Sequence, residues 1–180
     1  MAIFKTTTTL LKCFCLLHQV HVHLYEFTQT RGESMLPTLS AQNDFVHVLK
    51  HRKLIHTIGG SRGLRIGDCI VLMKPHDSSQ RVCKRITGLP GDIIQVDPSY
   101  DNDFDNSFIK VPKGHVWVTG DNLSYSLDSR SYSVVPMGLI IGKVVAANDF
   151  NQNWYQRNTI TNKFNFFGYR KINNNYIDCK

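Results

Sequence analysis

Acidic residues are scarce in this chain: 14 Asp and Glu stand against 21 Lys and Arg in 180 residues, a formal net charge of +7. Such a surplus suits an anionic membrane surface, nucleic acid or acidic clients. No helix-turn-helix pattern, zinc-finger spacing or aromatic-basic RNA signature accompanies it, so a nucleic-acid partner is not expected. Cysteine is sparse and irregular. Cys13, Cys15, Cys69, Cys83 and Cys179 are odd in number and match neither a disulfide framework nor a zinc site. No pattern calls for a metal or a cofactor. Long apolar runs are missing too, apart from Leu10 to Phe27. A spanning helix needs about 20 mostly apolar residues, and this run is interrupted by Lys12, Gln19, His18, His21 and His23. The three histidines do not share one helical face, which argues against a metal site. No small-x-small cleavage site follows, so a cleaved secretory signal is disfavoured, and the Thr-rich, acid-free start with Lys5 and Lys12 has some features of a mitochondrial address. A membrane helix over about residues 10–27 is preferred over a buried one.

What is present describes one globular domain. The hydrophobic fraction of 42% and charged fraction of 19% suit a packed core, and 180 residues leave little room for a second full domain. From Asp44 onward, short apolar, β-branched runs recur: Phe45 to Leu49, Cys69 to Met73, Arg81 to Ile86, Ile93 to Val96, Phe108 to Val111, His115 to Val118 and Leu139 to Ala146. Gly, Pro and Asp turns separate them, with no convincing amphipathic helix between. The expected fold class is all-β, a folded antiparallel sheet or barrel, with one N-terminal membrane helix. The polar loop Asp97 to Ser107 lacks the glycine of a calcium loop and is read as a solvated excursion. The tail from Asn151, with eight Asn, seven aromatics and five basic residues up to Lys180, either packs on the barrel or rests at a membrane interface.

Three stretches carry chemistry. In Arg31-Gly32-Glu33-Ser34-Met35-Leu36-Pro37-Thr38-Leu39, Gly32 permits unusual backbone angles and Pro37 fixes its own φ, so Ser34 sits on a stiff loop. Taken alone it is a serine in a turn or a presented nucleophile. Lys84 lies in a strand-like run among Val82, Cys83 and Ile86, and it either snorkels to solvent or is buried. Buried beside Ser34, its amine would lose affinity for a proton and could serve as a base near neutral pH. In Gly120-Asp121-Asn122-Leu123-Ser124-Tyr125-Ser126-Leu127-Asp128-Ser129-Arg130, Asp121 and Asn122 are expected to form a tight turn through their own backbone, braced by Asp128 and Arg130.

Together with Gly67-Asp68 and Cys83-Lys84-Arg85-Ile86-Thr87-Gly88-Leu89-Pro90-Gly91-Asp92, these blocks strongly resemble the type I signal peptidases in order and separation, from about Thr28 to Ala147. Arg31 to Met35 and the run Met137 to Asn148 are most like the mitochondrial inner-membrane branch of that family. The resemblance implies that Ser34 is the nucleophile and Lys84 its general base. It implies that Ser126 orients Lys84, that Asp128 and Arg130 support the site, and that the Ser34 N–H serves the oxyanion. Gly32 replaces a serine whose hydroxyl also serves the oxyanion in many bacterial relatives, which leaves backbone or water to supply that site, and Leu123 stands where the bacterial pattern tends to have an arginine. The large inserted domain of some bacterial forms is missing.

The implied organisation is an N-terminal segment 1–27 with the membrane helix, a Ser-Lys peptidase domain over 28–150 and a tail over 151–180. Implied partners are precursor proteins with sorting peptides, membrane lipid, and a second, related peptidase subunit in a heterodimer. The catalytic domain would face the intermembrane space. Competing readings are a bacterial-type leader peptidase for exported proteins, a self-cleaving repressor-type peptidase and a non-catalytic membrane-tethered β module. The repressor type would need a DNA-binding segment that the residues before Ser34 do not contain.

Overall fold

A computed structural model describes residues 2–42, 44–50, 63–96, 108–149 and 169–172. The chain opens with a helix, α1 (Ala2–His23), and continues as strands. These are β1 (Tyr25–Thr30), β2 (Asp44–Leu49), β3 (Cys69–Lys74), β4 (Asp77–Gly88), β5 (Ile93–Gln95), β6 (Phe108–Lys110), β7 (His115–Thr119), β8 (Val135–Pro136), β9 (Ile140–Asp149) and β10 (Tyr169–Lys171). Between β7 and β9, besides β8, lie one-turn elements: 3-10 turns at Leu123–Tyr125 and Met137–Leu139, and α2 (Ser129–Tyr132). Every strand pairing among the described residues is antiparallel. The main sheet runs β1-β2-β9-β3-β4-β7-β8, with β10 added to β9, and β5 and β6 form a separate ribbon.

The unbroken apolar run of β3 has a simple cause. Side chains alternate between faces along a strand, and here both faces are covered. Cys69 and Val71 enter one apolar cluster with Met35, Leu39, Val46, Val48, Val144 and Ala147. Ile70 and Leu72 enter the other with Ile86, Val116, Val118 and Val135. Met35 and Leu39 follow Ser34 by one and five positions, so the loop that carries Ser34 is pinned to the first cluster by its own apolar residues.

All seven strand-like runs read from the sequence form strands, while β1, β8 and β10 were not anticipated. The N-terminal expectation needs correction. The segment 10–27 is not one helix: α1 extends back to Ala2 and stops at His23, and Tyr25 to Phe27 belong to β1. Tyr25 and Phe27 alternate on a strand and are aromatic, a pattern that favours a sheet. Phe27 stacks on Phe45 of β2 with ring centroids 5.1 Å apart. At the junction the Lys50 ammonium donates to the His21 and Val22 carbonyls, at 3.4 and 3.3 Å, and pairs with Glu26 at 2.6 Å. A cation there suits the negative end of the helix dipole. Among the described residues no helix is long and apolar enough to cross a membrane. The loop Asp97 to Ser107 lies outside the described residues. So does the tail after Asn151 except for β10 and Ile172, which is buried in the first cluster.

Candidate active site

Ser34, on the loop after β1, and Lys84, on β4, line one cavity of about 170 Å³, together with Gln29, Gly32, Met35, Val71 and Cys83. That is room for more than a few waters. Gly32 has φ of +109°, a conformation that requires glycine and turns the chain into the Ser34 loop. The Leu36–Pro37 peptide is cis. Leu39 N–H donates to the Met35 carbonyl at 2.9 Å, closing the loop on itself. Ser34 itself is half-buried, and its N–H donates to no backbone carbonyl among the described residues.

Lys84 is 3% exposed. No carboxylate comes within ion-pair distance of it among the described residues. Burial lowers its pKa from the ordinary lysine value, against a smaller opposing pull from Cys83, Asp128 and Asp121. Desolvation penalises the ammonium more than those groups recover, so the amine holds its proton less tightly than an exposed lysine does. Burial likewise pushes the neighbouring Cys83 thiol up to about 12, which leaves it inert as a nucleophile at neutral pH.

The third wall comes from the segment after β7. The Asn122 N–H donates to the Ser34 carbonyl at 3.0 Å, so the serine loop hangs from this segment by a backbone bond. Gly120 makes the approach possible. A Cβ at that position would lie 2.3 Å from Ser126 Oγ and 2.4 Å from the Ser34 carbonyl oxygen. The Ser126 hydroxyl is buried and makes no aligned hydrogen bond among the described residues; it sits beside the Asp128 carboxylate, near enough to help keep it ionised. Asp128 is fully buried. Its burial pushes the pKa up, but Arg130 and the Gly120 N–H outweigh that, and the carboxyl stays below its ordinary value. Arg130 Nε and Nη2 donate to the two Asp128 oxygens at 2.9 and 3.0 Å, and the Gly120 N–H donates to Asp128 Oδ2 at 3.0 Å. Arg130 Nη2 also reaches the Leu123 carbonyl at 2.6 Å. Asp128 and Arg130 therefore fix the backbone at Gly120.

Asp121 does something else. Rather than closing a turn on its own backbone, it receives Arg85 Nε and Nη2 at 2.7 and 2.6 Å. Thr38 Oγ1 also donates to it and accepts from Arg85 Nη2 at 3.3 Å. Arg85 Nη1 donates to the Gly67 carbonyl at 2.6 Å. One buried ion pair thus joins β4, the Ser34 loop, the Gly67-Asp68 turn and the Gly120 segment. Sequence reasoning gives no role to Arg85 or Thr38, and places Asp121 in a local turn rather than in this pair. The available signal was the placement of two opposite charges in the very blocks that supply Lys84 and Ser126.

The family model described as "Signal peptidase, peptidase S26" matches residues 3–103 and 96–147. The chain is 50% identical to "Mitochondrial inner membrane protease subunit 1" of Saccharomyces cerevisiae, across 98% of this chain and 93% of that protein. It is 43% identical to the Schizosaccharomyces pombe protein of the same name, across 79% of this chain and 85% of the relative. It is also 31% identical to "Mitochondrial inner membrane protease subunit 2" of Saccharomyces cerevisiae, across 70% of this chain and 69% of that protein.

Proposed function

The chain belongs to the S26 family of signal peptidases, and from that premise we propose that it cleaves precursors with a Ser34–Lys84 dyad. It is a serine endopeptidase of the mitochondrial inner membrane that processes precursor proteins. The observation that carries the dyad is a buried lysine with no carboxylate partner among the described residues, lining the same cavity as a serine on a pinned loop.

In this reading the neutral Lys84 amine takes the Ser34 Oγ proton as Oγ attacks the scissile carbonyl carbon. Charge develops on the carbonyl oxygen, and the Ser34 N–H is the donor offered to it. Collapse breaks the C–N bond, and the Lys84 ammonium returns the proton to the leaving amine. Lys84 then deprotonates the water that releases the acyl-enzyme. Ser126, with an unclaimed buried hydroxyl, orients the Lys84 amine. Asp128 and Arg130 hold the segment that carries Ser126.

The sheet with apolar clusters on both faces fits a folded, barrel-like peptidase domain over about residues 28–150, with β1 extending it back to Tyr25. α1 is the membrane helix of the N-terminal segment 1–27, and the catalytic domain faces the intermembrane space. Substrates carry sorting peptides, and the partner is a second, related peptidase subunit. That a relative is named subunit 1, and that a homologous subunit 2 exists, supports a heterodimer.

The test uses the membrane-embedded full chain. Ser34→Ala and Lys84→Met are each expected to reduce precursor cleavage by about 10²–10⁴-fold or more, with unchanged folding by circular dichroism. A serine-directed acylating probe should label wild type and not Ser34→Ala. Near-wild-type cleavage by folded Lys84→Met would remove Lys84 from the mechanism. Failure of the probe to label active preparations would favour a non-catalytic module.

A further inference from the structure

Helix α1 has a feature that an ordinary anchor lacks. Its 22 residues would extend about 33 Å at 1.5 Å per residue, close to the thickness of a hydrocarbon core. Lys12 falls at its midpoint. The helix contains no acidic residue. At 100° per residue, Lys5, Lys12, Gln19 and His23 lie within about 40° of one another around the axis. All four side chains are exposed, with Leu16 beside them. Leu10, Phe14 and Leu17, each more than 65% exposed, lie on the other side. Within the described chain nothing covers the stripe. Lys50 and Glu26 engage only the end of the helix.

Lys5 can reach an interface by snorkelling along its own stem. Lys12 cannot, because each membrane surface is about 15 Å from the bilayer centre. A cation at that depth is costly unless it faces a protein group of opposite charge. We propose that the Lys12–Gln19–His23 stripe of α1 docks against a transmembrane helix of a partner subunit that carries a carboxylate at mid-bilayer depth. This rests on α1 being the membrane helix. It accounts for a lysine at the midpoint of a helix whose other side, at the same depth, carries Leu10, Phe14 and Leu17, while the polar residues off the stripe, Thr6, Thr7, His18 and His21, lie toward the two ends. Lys12 neutralises the partner's carboxylate, and Gln19 offers an amide that can donate and accept across the seam. Leu16 packs between them. Leu10, Phe14 and Leu17, in the central turns of the other side, are left to lipid.

The experiment reconstitutes the full chain in phosphatidylcholine vesicles and measures energy transfer to two probe peptides. One is a leucine-alanine transmembrane helix with a single central Asp, and the other has Leu at that position. Wild type is expected to associate about tenfold more tightly with the Asp peptide. Lys12→Leu should abolish that preference, while Leu17→Ala on the opposite side should retain it. In membranes containing the related peptidase subunit, Lys12→Leu should reduce co-isolation of that subunit with full retention in the bilayer. Equal association with both peptides, or an undiminished Asp preference in Lys12→Leu, would overturn the docking surface. Extraction of wild type by alkaline carbonate would instead overturn the membrane placement of α1, so the two failures are distinguishable.

Discussion

Lys84 and Arg85 are adjacent on β4, and both are almost completely removed from solvent, at 3% and 2% exposure. Their surroundings are opposite. Arg85 has a carboxylate gripped by two of its nitrogens and a carbonyl on the third. Lys84 has no carboxylate within pairing distance among the described residues, and burial drives its pKa down. A guanidinium cannot shed its charge in a protein, so burial obliges the fold to supply a counter-ion. An ammonium can shed its proton, and a site that withholds the counter-ion produces a base. The same depth of burial thus yields a structural tie on one side of the peptide bond and a reactive amine on the other.

Truncating each residue separates the two roles. Arg85→Met strands the buried Asp121 charge and is expected to destabilise the fold by about 3–5 kcal/mol. The added change Asp121→Leu should recover most of that loss in a double-mutant cycle read by urea denaturation. Lys84→Met removes a cation that lacks a counter-ion and is expected to keep or raise stability near pH 7. The sign follows from linkage. With the folded pKa lowered, the unfolded chain binds more protons between the folded and unfolded pKa values, so wild-type stability rises with pH across that window. The Met variant should lose that part of the slope. A loss in Lys84→Met as large as that in Arg85→Met would make Lys84 a structural ion and erase the contrast.

Gly120 sharpens the comparison from the other wall. Its missing Cβ lets Ser126 and the Ser34 carbonyl approach within 2.3 and 2.4 Å of where that atom would be. Gly120→Ala is expected to cost about 1–3 kcal/mol as overpacking. Cleavage should fall about 10²-fold, because a 1 Å shift separates the serine loop from the base. The Arg85–Asp121 pair lies on the same segment but does not depend on that gap. If Gly120→Ala lowered stability while cleavage per folded molecule was unchanged, Gly120 would be a packing residue only.

The legible parts of the molecule were those where one residue type suffices. The alternation of Val, Ile and Phe located seven strands, and Gly32 with Pro37 marked a constrained loop around Ser34. Lys84 stood out as a charge in an apolar run. Features that depend on contacts between distant segments were not legible. Asp121 was assigned to its own turn because Asp commonly bonds its local backbone, yet Arg85, 36 residues earlier, claims it. β1 was hidden because Leu24, Tyr25 and Phe27 continue the apolar pattern of α1, and only pairing with β2 distinguishes a strand there. β10 lies in a polar, Asn-rich tail whose composition gives no strand period, and its place is set by the open edge of β9.

The smallest expected effect belongs to Ser126, and it is the most discriminating. Its hydroxyl is buried with no aligned hydrogen bond among the described residues, so Ser126→Ala sheds a group already stripped of water and loses only its weak help to the Asp128 carboxylate, and stability should stay nearly unchanged. If the hydroxyl orients the Lys84 amine, the same change should lower kcat by about 5–30-fold, the worth of one hydrogen bond of about 1–2 kcal/mol, with KM unaltered. The acid limb of the pH profile reports protonation of Lys84. Cleavage should fall as pH drops through a pKa below the ordinary lysine range, since only the neutral amine accepts the Ser34 proton. Burial is the largest cause of that lowered pKa, so the limb should stay in place in Ser126→Ala while the plateau drops. A limb that moved with the plateau would make Ser126 a tuner of Lys84 basicity, and an unchanged plateau would leave Lys84 oriented by packing against β3 and the Ser34 loop alone.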